Sequence, residues 1–327
     1  MKAVIATKYG SPDVLQIRDV EKPTPKANEI LVKIHATTVT PGDCRMRSFN
    51  VPPMFWLPGR LALGITKPKH PVFGSELSGE VEAVGQAVTC FKVGDAVFAY
   101  ATHDLGSGAH AEYKCVPQDA CVTRKPDSLS YEEAAAIPFG GLTALNFLRR
   151  AHIEPGQSVL VNGASGAVGT YAVQLAKYYG ADVTAVCSAR NRQMVKALGA
   201  DRVIDYTRED FTKNSEVYDV IFDTVGTTTF SQCKNSLKQH GYYLHAVMVA
   251  AGLKTPWYAM TTGRNVVGGT PAGEPDGLDF LKGLIEAGVI KVVIDRCYPL
   301  EEIAEAHRYV DTGRKRGGVV ISVIPGA

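Results

Sequence analysis

The chain has 327 residues, 45% of them hydrophobic, and a formal net charge of only +2. This length predicts two domains, each with a full hydrophobic core. The small net charge argues against nucleic acid or an acidic membrane as a partner. The longest uncharged stretch, residues 134–148, is interrupted by proline and glycine and is shorter than the roughly 20 apolar residues that span a bilayer.

The cysteine content indicates the compartment. Seven cysteines without a Cys-x-x-Cys pair predict free thiols, packed as small apolar side chains, in a reducing environment. Residues 1–6 are predicted to form a first strand and lack the long apolar segment of a secretory signal. We therefore expect a cytoplasmic protein. The cysteines are at positions 44, 90, 115, 121, 187, 233 and 297.

The first third of the chain is predicted to form a β-rich domain. Strand patterns at 29–35, 79–84 and 95–100 are separated by glycine and proline. Strands this closely spaced, with no helix between them, are typical of a rolled-up β domain. A helical segment follows at 131–148, with a break expected at Gly140-Gly141.

From Ser158 onward the pattern alternates between strands and helices. Continuous apolar strands with helices between them predict a parallel sheet that is covered on both faces. The tail, which ends with a strand at 318–323, is expected to return to the first domain. The predicted domains are therefore 1–125, completed by 268–327, and 126–267. The strands predicted for the second domain are 158–162, 182–187, 202–205, 218–224 and 241–247.

A glycine-rich turn joins the first of these strands to the helix predicted at 167–179. Such a turn lets backbone N–H groups approach a pyrophosphate, and the helix N-terminus adds partial positive charge. The spacing GxxGxxG alone is a weak signal, but its position between a buried strand and a helix predicts nucleotide binding. The candidate cofactor residues in the turn are Gly163, Ser165, Gly166, Ala167, Val168 and Gly169.

The end of the second strand favours NADPH over NADH. NAD enzymes usually place an acid there to bind the ribose hydroxyls, whereas no Asp or Glu occurs at 183–200. Ser188 and Arg190 offer a hydroxyl and a guanidinium that can bind a 2′-phosphate. The alternative is that Arg190 is only a solvated charge at the start of a helix. Asn191 is a further candidate cofactor residue.

Several motifs together make the chain similar to the medium-chain dehydrogenase/reductase superfamily, in its quinone oxidoreductase branch. The resemblance covers essentially the whole chain, whereas each motif alone would be unspecific. It implies an α/β protein with a GroES-like β-rich catalytic domain, a Rossmann domain with a doubly wound parallel sheet, and a cleft between them for the nicotinamide. The motifs, besides the glycine turn, are at 93–97, 108–113, 134–137, 141–144, 198–201, 204–206 and 218–223.

The resemblance also implies further cofactor residues and an oligomeric state. A threonine would lie near the nicotinamide, a tyrosine would flank the 2′-phosphate, and residues of the fifth strand would line the cofactor cleft. Homodimers are common in this branch and are often joined through the edge of the Rossmann sheet, here 265–270. The implied cofactor residues are Thr143, Tyr206, Val225, His245, Ala246 and Val247.

The zinc positions of the superfamily are altered in this chain. Zinc-dependent relatives hold the metal with a cysteine, the histidine of a Gly-His-Glu motif, and a further cysteine or acid. Here Thr40 replaces the first cysteine and Ser75 replaces the histidine. A catalytic zinc needs about three protein ligands, so we expect no metal. Cys44, close to Thr40, is better explained as a packing residue.

Without a metal to stabilise an alkoxide, the expected substrate is a small apolar quinone or α,β-unsaturated carbonyl compound, because conjugation spreads the charge that hydride brings. One hydrogen-bond donor can contribute roughly 3–4 kcal/mol to such a transition state. Candidate donors are Thr40, Tyr100 and a ribose hydroxyl of the cofactor. Asp43 is the remaining catalytic candidate, although a turn-capping role after Pro41-Gly42 is at least as consistent with its position.

Two aromatic, proline-containing segments, 50–58 and 254–260, are predicted to be loops that shape a pocket for a flat substrate. Ordinary packing of Trp56 and Trp257 is the alternative. For the whole chain the favoured function is an NADPH-dependent quinone or enone reductase. The other hypotheses are an NADPH-binding structural or regulatory protein with little turnover, and a zinc alcohol dehydrogenase.

Overall fold

The computed structural model describes residues 1–51, 53–101, 108–246, 262–269 and 275–324. The chain divides into two compact units. The first unit comprises Met1–Phe139, Gly273–Lys282 and Val292–Ala327, and the second comprises Gly140–Ala272 and Gly283–Lys291. Both ends of the chain therefore belong to the first unit.

Strands dominate the first 130 residues, and strands alternate with helices after them. The strands are β1 (Lys2–Ala6), β2 (Leu15–Asp19), β3 (Glu29–Thr38), β4 (Glu76–Val84), β5 (Ala96–Tyr100), β6 (Tyr113–Pro117), β7 (Val122–Arg124), β8 (Ser158–Asn162), β9 (Asp182–Cys187), β10 (Arg202–Asp205), β11 (Tyr218–Asp223), β12 (Leu237–His245), β13 (Asn265–Gly268), β14 (Ile294–Pro299) and β15 (Gly318–Ser322). The helices are α1 (Pro41–Ser48), α2 (Pro53–Leu63), α3 (Tyr131–Ala135), α4 (Pro138–Arg150), α5 (Ala167–Tyr178), α6 (Arg192–Ala197), α7 (Phe230–Cys233), α8 (Pro275–Glu286) and α9 (Ile303–Asp311).

The first unit is built around a mixed sheet in the order β14-β15-β3-β4-β5-β7, with β6 paired to β3. Alternate residues of β3, Ile30, Val32 and Ile34, are fully buried, because successive side chains of a strand point to opposite faces. Leu77 and Val81 of β4 pack in the same core. The β-rich domain predicted from the sequence is confirmed.

The second unit holds a parallel sheet in the order β10-β9-β8-β11-β12-β13. Counted along the chain, this is the order 3-2-1-4-5-6 of dinucleotide-binding sheets. The central strands β8 and β11 are almost completely buried, as expected for parallel strands covered on both faces. The predicted doubly wound sheet is confirmed. β13, at 265–268 within the expected dimer edge 265–270, is the last strand in this order among the described residues, and Thr270 lies outside them.

The expected helix break at Gly140-Gly141 was wrong. Both glycines lie inside α4. A Cβ added to Gly140 would lie 2.7 Å from the carbonyl oxygen of Ala167 at the start of α5. Glycine therefore serves here to let two helices approach each other closely, and this packing offsets its cost of about 1 kcal/mol inside a helix.

The predicted loop at 50–58 was also wrong, because α2 begins within it at Pro53. Proline is favourable in the first turn of a helix, where its missing N–H is not needed. The guanidinium of Arg60 then stacks 4.2 Å from the ring centres of both Tyr9 and Phe49 and holds the second half of α2 in place. The other segment predicted as a loop, 254–260, lies outside the described residues.

The packing predicted for the cysteines holds for four of the seven, whereas Cys90 and Cys297 are exposed and Cys115 is half-buried. All seven cysteines are free, and Cys44, Cys121, Cys187 and Cys233 are buried. Cys44 packs with Val39, Ile303 and other apolar residues of one core cluster, which confirms its packing role. Among the described helices, none has both the length and the apolar character needed to cross a membrane.

Candidate functional site

The glycine turn lies at the carboxyl edge of the parallel sheet, between β8 and α5. The strand order reverses at this point, since β9 and β11 flank β8 on opposite sides, and open α/β sheets bind ligands at such points. Gly163 has φ +81°, and a Cβ there would lie 2.1 Å from Cγ2 of Val225. A Cβ at Gly169 would lie 2.2 Å from the carbonyl oxygen of Gly163. Gly163 is therefore required by its positive φ and a neighbouring side chain, and Gly169 by the backbone of the turn itself.

Gly166 is the glycine of the turn that has free space around it. It precedes α5 with φ −81° and ψ 175°, a conformation that any residue adopts. The nearest atom to an added Cβ would be 3.4 Å away, at ordinary contact distance. The first N–H groups of α5 have no partner within the helix, so this cradle without a side chain fits a pyrophosphate.

Asn191 connects the glycine turn to the end of β9. Its Nδ2 donates to Oγ of Ser165 at 2.9 Å, and Asn191 itself is buried. Ser188 is half-buried, whereas Arg190 is exposed. The exposed Tyr206 lies beside the same strand end, because its N–H donates to the carbonyl oxygen of Cys187 at 3.3 Å. The structure thus brings together the residues predicted to hold the pyrophosphate and the 2′-phosphate.

Sequence reasoning missed a carboxylate beside this corner. Asp205 ends β10 and is in register with Cys187 at the end of β9. Its Oδ1 accepts hydrogen bonds from the N–H and the hydroxyl of Thr207 at 3.0 and 2.8 Å. These bonds, with help from Arg208 and the N–H of Ala189, hold the pKa of Asp205 below its usual value. Only the pairing of β10 with β9 reveals this proximity, since the residues are distant in the sequence.

Asp223, which the sequence analysis also missed, organises the loop after β11. The carboxylate is fully buried and accepts hydrogen bonds from the backbone N–H groups of Val225, Gly226 and Thr228 at 2.9–3.0 Å. Nδ2 of Asn162, at the end of β8, donates to it at 3.1 Å. An acidic residue that ends an apolar strand at the carboxyl edge of the sheet is the signal that could have revealed this role.

The other cofactor candidates follow the same edge or pack nearby. Nε2 of His245 lies 3.9 Å from Oδ2 of Asp223, and burial lowers the pKa of His245. The N–H of Ala246 donates to the backbone carbonyl of Asp223 at 3.1 Å. Thr143 is buried in α4, and Val168 is buried in α5 after the half-buried Ala167. Val247 lies outside the described residues.

The first unit contains a mostly apolar cavity of about 250 Å³. All three candidate catalytic residues, Thr40, Asp43 and Tyr100, line it. Its volume is smaller than the roughly 300–1,000 Å³ of pockets that take drug-sized ligands. The cavity therefore suits a compact apolar molecule with a small polar group. The other walls include Tyr9, Met46, Leu63, Val72, Phe73 and Phe139.

Asp43 and Thr40 form a capping box at the start of α1. Oδ2 of Asp43 accepts from the N–H and the hydroxyl of Thr40 at 2.8 and 2.6 Å, and Oδ1 accepts from the N–H of Gly74 at 3.1 Å. In this arrangement the single hydroxyl proton of Thr40 points at Asp43. The pair therefore fixes α1 to the Gly74-Ser75-Glu76 motif, the turn-capping alternative considered for Asp43.

Glu76 is a further residue of the site that sequence reasoning did not single out. It is 3% exposed and lies directly opposite Tyr100 in the pairing of β4 with β5. The Thr38 hydroxyl donates to its Oε1, and the N–H of Phe139 donates to its Oε2 at 2.6 Å. Burial raises the pKa of Glu76 to about 7. A carboxyl group on a strand with apolar neighbours was the available signal.

The residues at the zinc positions do not fit a catalytic zinc. The hydroxyl of Thr40 is bound to Asp43, and both carboxylate oxygens of Glu76 accept protein hydrogen bonds. Ser75 offers only a neutral hydroxyl. Within the described ranges, no three or more His, Cys, Asp or Glu side chains are arranged to hold a metal ion. This donor set lacks the thiolate and imidazole groups that zinc prefers.

A Rossmann-type sheet together with a β-rich unit that carries a small apolar pocket defines a two-domain dehydrogenase or reductase. Comparisons identify the family. Residues 26–127 match the alcohol dehydrogenase GroES-like domain, and residues 198–321 match the family described as zinc-binding dehydrogenase.

Similar proteins align over nearly the whole chain. The 2-methylene-furan-3-one reductase of Solanum lycopersicum is 35% identical over 99% of this chain and 80% of its own length. The chloroplastic NADPH-dependent alkenal/one oxidoreductase of Arabidopsis thaliana is 30% identical over 99% of this chain and 80% of its own. The structure of the quinone oxidoreductase from Coxiella burnetii has a TM-score of 0.89 at 32% identity and covers 99% of both chains. The chain belongs to the medium-chain dehydrogenase/reductase superfamily, in its quinone oxidoreductase branch, and is an oxidoreductase.

Proposed function

We propose that this protein is a zinc-independent, NADPH-dependent reductase of quinones or α,β-unsaturated carbonyl compounds. The observation that carries the proposal is the hydrogen bond from Asn191 to Ser165, since it joins the Ser188–Arg190 segment to the glycine turn. A dinucleotide with its pyrophosphate on that turn presents its 2′-phosphate to a hydroxyl and a guanidinium. The names of the two plant relatives, a 2-methylene-furan-3-one reductase and an NADPH-dependent alkenal/one oxidoreductase, support the same assignment.

The cofactor contacts follow from this placement. The N–H groups at the start of α5 bind the pyrophosphate, and Gly166 leaves room for it. Asp223 holds the loop after β11 in shape for the ribose and nicotinamide side of the dinucleotide. The further contacts that we propose are Thr143, Tyr206, Val225, His245, Ala246 and Val247.

When bound, the cofactor supplies the hydride. The protein itself has to hold the substrate, exclude water and stabilise the negative charge that develops on the substrate oxygen. We assign the hydrogen bond to that oxygen to Tyr100, because the hydroxyl proton of Thr40 is directed at Asp43. The apolar walls of the pocket strengthen this bond by keeping water out. After hydride transfer, water that enters from solvent protonates the enolate carbon of an enone or the oxygen of a reduced quinone.

The cofactor preference is tested by Arg190→Ala, with Lys196→Ala as the matched control for the loss of an exposed cation in the adjoining helix. A charge-assisted hydrogen bond contributes roughly 1.5–3 kcal/mol, so Arg190→Ala should raise the Kd for NADPH by about ten- to hundredfold and leave that for NADH nearly unchanged. Equal affinity of the wild-type protein for both cofactors would contradict the NADPH assignment.

The reaction is tested by NADPH oxidation with alkenals, cyclic enones and quinones, with and without a chelator. We expect turnover that the chelator does not change. Tight NADPH binding without turnover on any of these compounds would indicate a nucleotide-binding protein instead of a reductase. Stoichiometric zinc in the purified protein, or loss of activity with the chelator, would overturn the metal-free reaction.

We further propose a cytoplasmic homodimer joined through β13 (Asn265–Gly268), the last strand of the parallel sheet in the described part of the chain. Its outer side offers backbone N–H and C=O groups that a second copy can pair with. Light scattering on the purified protein measures the oligomeric state. Val267→Lys should convert the dimer into monomers, because a charged side chain on an exposed strand opposes pairing with a second copy. A monomeric wild-type protein would exclude the dimer.

A further inference from the structure

Exposed apolar side chains are concentrated in one short segment of the first unit. Trp56, Leu57 and Leu61 of α2 are 50%, 61% and 60% exposed, and Ile65 after the helix is 67% exposed. Leu57 and Leu61 are one helical turn apart and therefore lie on the same face. A large exposed apolar group on a soluble domain usually marks an interaction surface. We call these four residues the α2 face.

Arg60 connects α2 to the rest of the first unit. Its guanidinium stacks on the rings of Tyr9 and Phe49 and lies 5.3 Å from the ring centre of Trp56. Nη1 of Arg60 also donates to the carbonyl oxygen of Ile65 at 2.8 Å. The side of α2 that carries Arg60 and the half-exposed Trp56 is thus fixed to the first unit, while Leu57, Leu61 and Ile65 face solvent.

The charge around the α2 face is entirely positive in the sequence. No acidic residue occurs between Asp43 and Glu76, whereas that stretch contains three arginines and two lysines. One of them, Arg47, is buried and paired with Asp311 at 2.6 Å. Lys67 and Lys69 are exposed. Nζ of Lys69 donates to the carbonyl oxygen of Leu61 at 3.1 Å, which places an ammonium group beside the apolar residues.

We propose that the α2 face docks onto the surface of an anionic lipid bilayer. Trp56, Leu57, Leu61 and Ile65 enter the boundary between head groups and acyl chains, and the two lysines lie against lipid phosphates. A tryptophan, aliphatic side chains and lysines on one face form the combination that binds in this interface. The attraction of each cation is short-ranged and screened by salt, so docking is peripheral and reversible.

Docking also determines where the pocket obtains its substrate, and this step of the inference rests on the proposed function. Leu63, Pro68 and His70 of the same segment line the cavity that contains Thr40 and Tyr100. Apolar quinones and enones dissolve in lipid, so a docked protein would collect its substrate from the bilayer. The docking itself is tested by binding alone, so its failure would leave the proposed reduction untouched.

The experiment measures co-sedimentation of the full chain with vesicles of phosphatidylcholine alone or of two parts phosphatidylcholine and one part phosphatidylserine. We expect binding to the anionic vesicles that weakens with salt, and at least tenfold weaker binding to the neutral ones. Leu57→Ser/Leu61→Ser and Lys67→Gln/Lys69→Gln should each lower the partition coefficient at least tenfold.

Two matched variants control for the loss of exposed groups elsewhere. Val217→Ser/Val289→Ser removes apolar groups that are 47% and 42% exposed, and Lys196→Gln/Lys213→Gln removes two exposed lysines. Both should bind anionic vesicles like the wild-type protein, and all variants should keep its unfolding midpoint. Absence of vesicle binding, or an equal loss in the control variants, would overturn the proposal. If the wild-type protein binds no vesicles and Leu57→Ser/Leu61→Ser converts a dimer to monomers, the α2 face is an interface between copies.

Discussion

Two glycines of the same turn should respond to alanine in opposite ways. A Cβ at Gly169 would lie 2.2 Å from the carbonyl oxygen of Gly163 and 2.7 Å from Cα of Ala164. Both are backbone atoms, which cannot move aside as a flexible side chain can. Overpacking of this kind costs about 1–3 kcal/mol, so Gly169→Ala should lower the free energy of unfolding by about 3 kcal/mol. Chemical denaturation measures this change.

At Gly166 the same substitution should spare the fold and remove the cofactor. The nearest atom to the new Cβ is 3.4 Å away, and alanine before a helix costs less than about 1 kcal/mol relative to glycine. The methyl group instead occupies the cradle proposed for the pyrophosphate. We therefore expect at least tenfold weaker NADPH binding by calorimetry, with a nearly unchanged unfolding midpoint.

The two variants control for each other. Wild-type NADPH affinity in Gly166→Ala would refute the placement of the pyrophosphate on this turn. Wild-type stability in Gly169→Ala would refute the close approach of α5 to the turn. A loss of binding in Gly169→Ala alone would follow from misfolding and would carry no information about the cofactor.

Three further variants test the pocket. Tyr100→Phe should lower kcat/KM by about two to three orders of magnitude, because a donor to a developing oxyanion contributes roughly 3–4 kcal/mol. The control Tyr113→Phe removes a tyrosine hydroxyl of the same unit outside the residues that line the cavity and should retain activity. Equal rates for both variants would exclude Tyr100 as the donor. Asp43→Asn should lower the free energy of unfolding by about 2 kcal/mol, because charge-assisted hydrogen bonds are lost, and should leave the affinity for NADPH unchanged. The control Glu133→Gln, in the exposed capping box of α3, should lower the free energy of unfolding by less. Since burial raises the pKa of Glu76 from 4.5 to about 7, its neutral form stabilises the fold below about pH 4.5, and this contribution is lost as the pH rises through 7. The free energy of unfolding relative to Glu76→Gln should therefore fall by at most about 3 kcal/mol between about pH 5 and pH 8, and a flat difference would contradict the raised pKa.

The second unit was predictable because its signals are local. Buried parallel strands appear as apolar runs such as those of β8 and β11, and the turn between β8 and α5 carries its glycines in a short string. The wrong predictions concern positions where distant contacts override local preference. Gly140 stays helical because it packs on Ala167, and α2 forms where Arg60 stacks on rings at 9 and 49.

In the candidate site, too, local contacts could be predicted from the sequence and contacts between distant residues could not. The turn-capping alternative considered for Asp43 agrees with the capping box that it forms with Thr40, and it could be considered from the sequence because both residues lie within one turn. Glu76 could not be placed from spacing, because its partner Phe139 is 63 residues away. The net charge of the chain likewise did not reveal the local positive charge beside α2. A value of +2 for the chain argued against an acidic membrane, yet it averages over a stretch between residues 43 and 76 that contains five cations and no acid.

Buried carboxylates have the same structural role in both units. Asp43 and Asp223 each accept several hydrogen bonds from backbone N–H groups or short polar side chains, and each ties a loop to a neighbouring element. The acids of this protein therefore position the turn and the pocket. Hydride transfer to a conjugated substrate needs no strong base, so the tyrosine hydroxyl and the apolar walls suffice for the reaction that we propose.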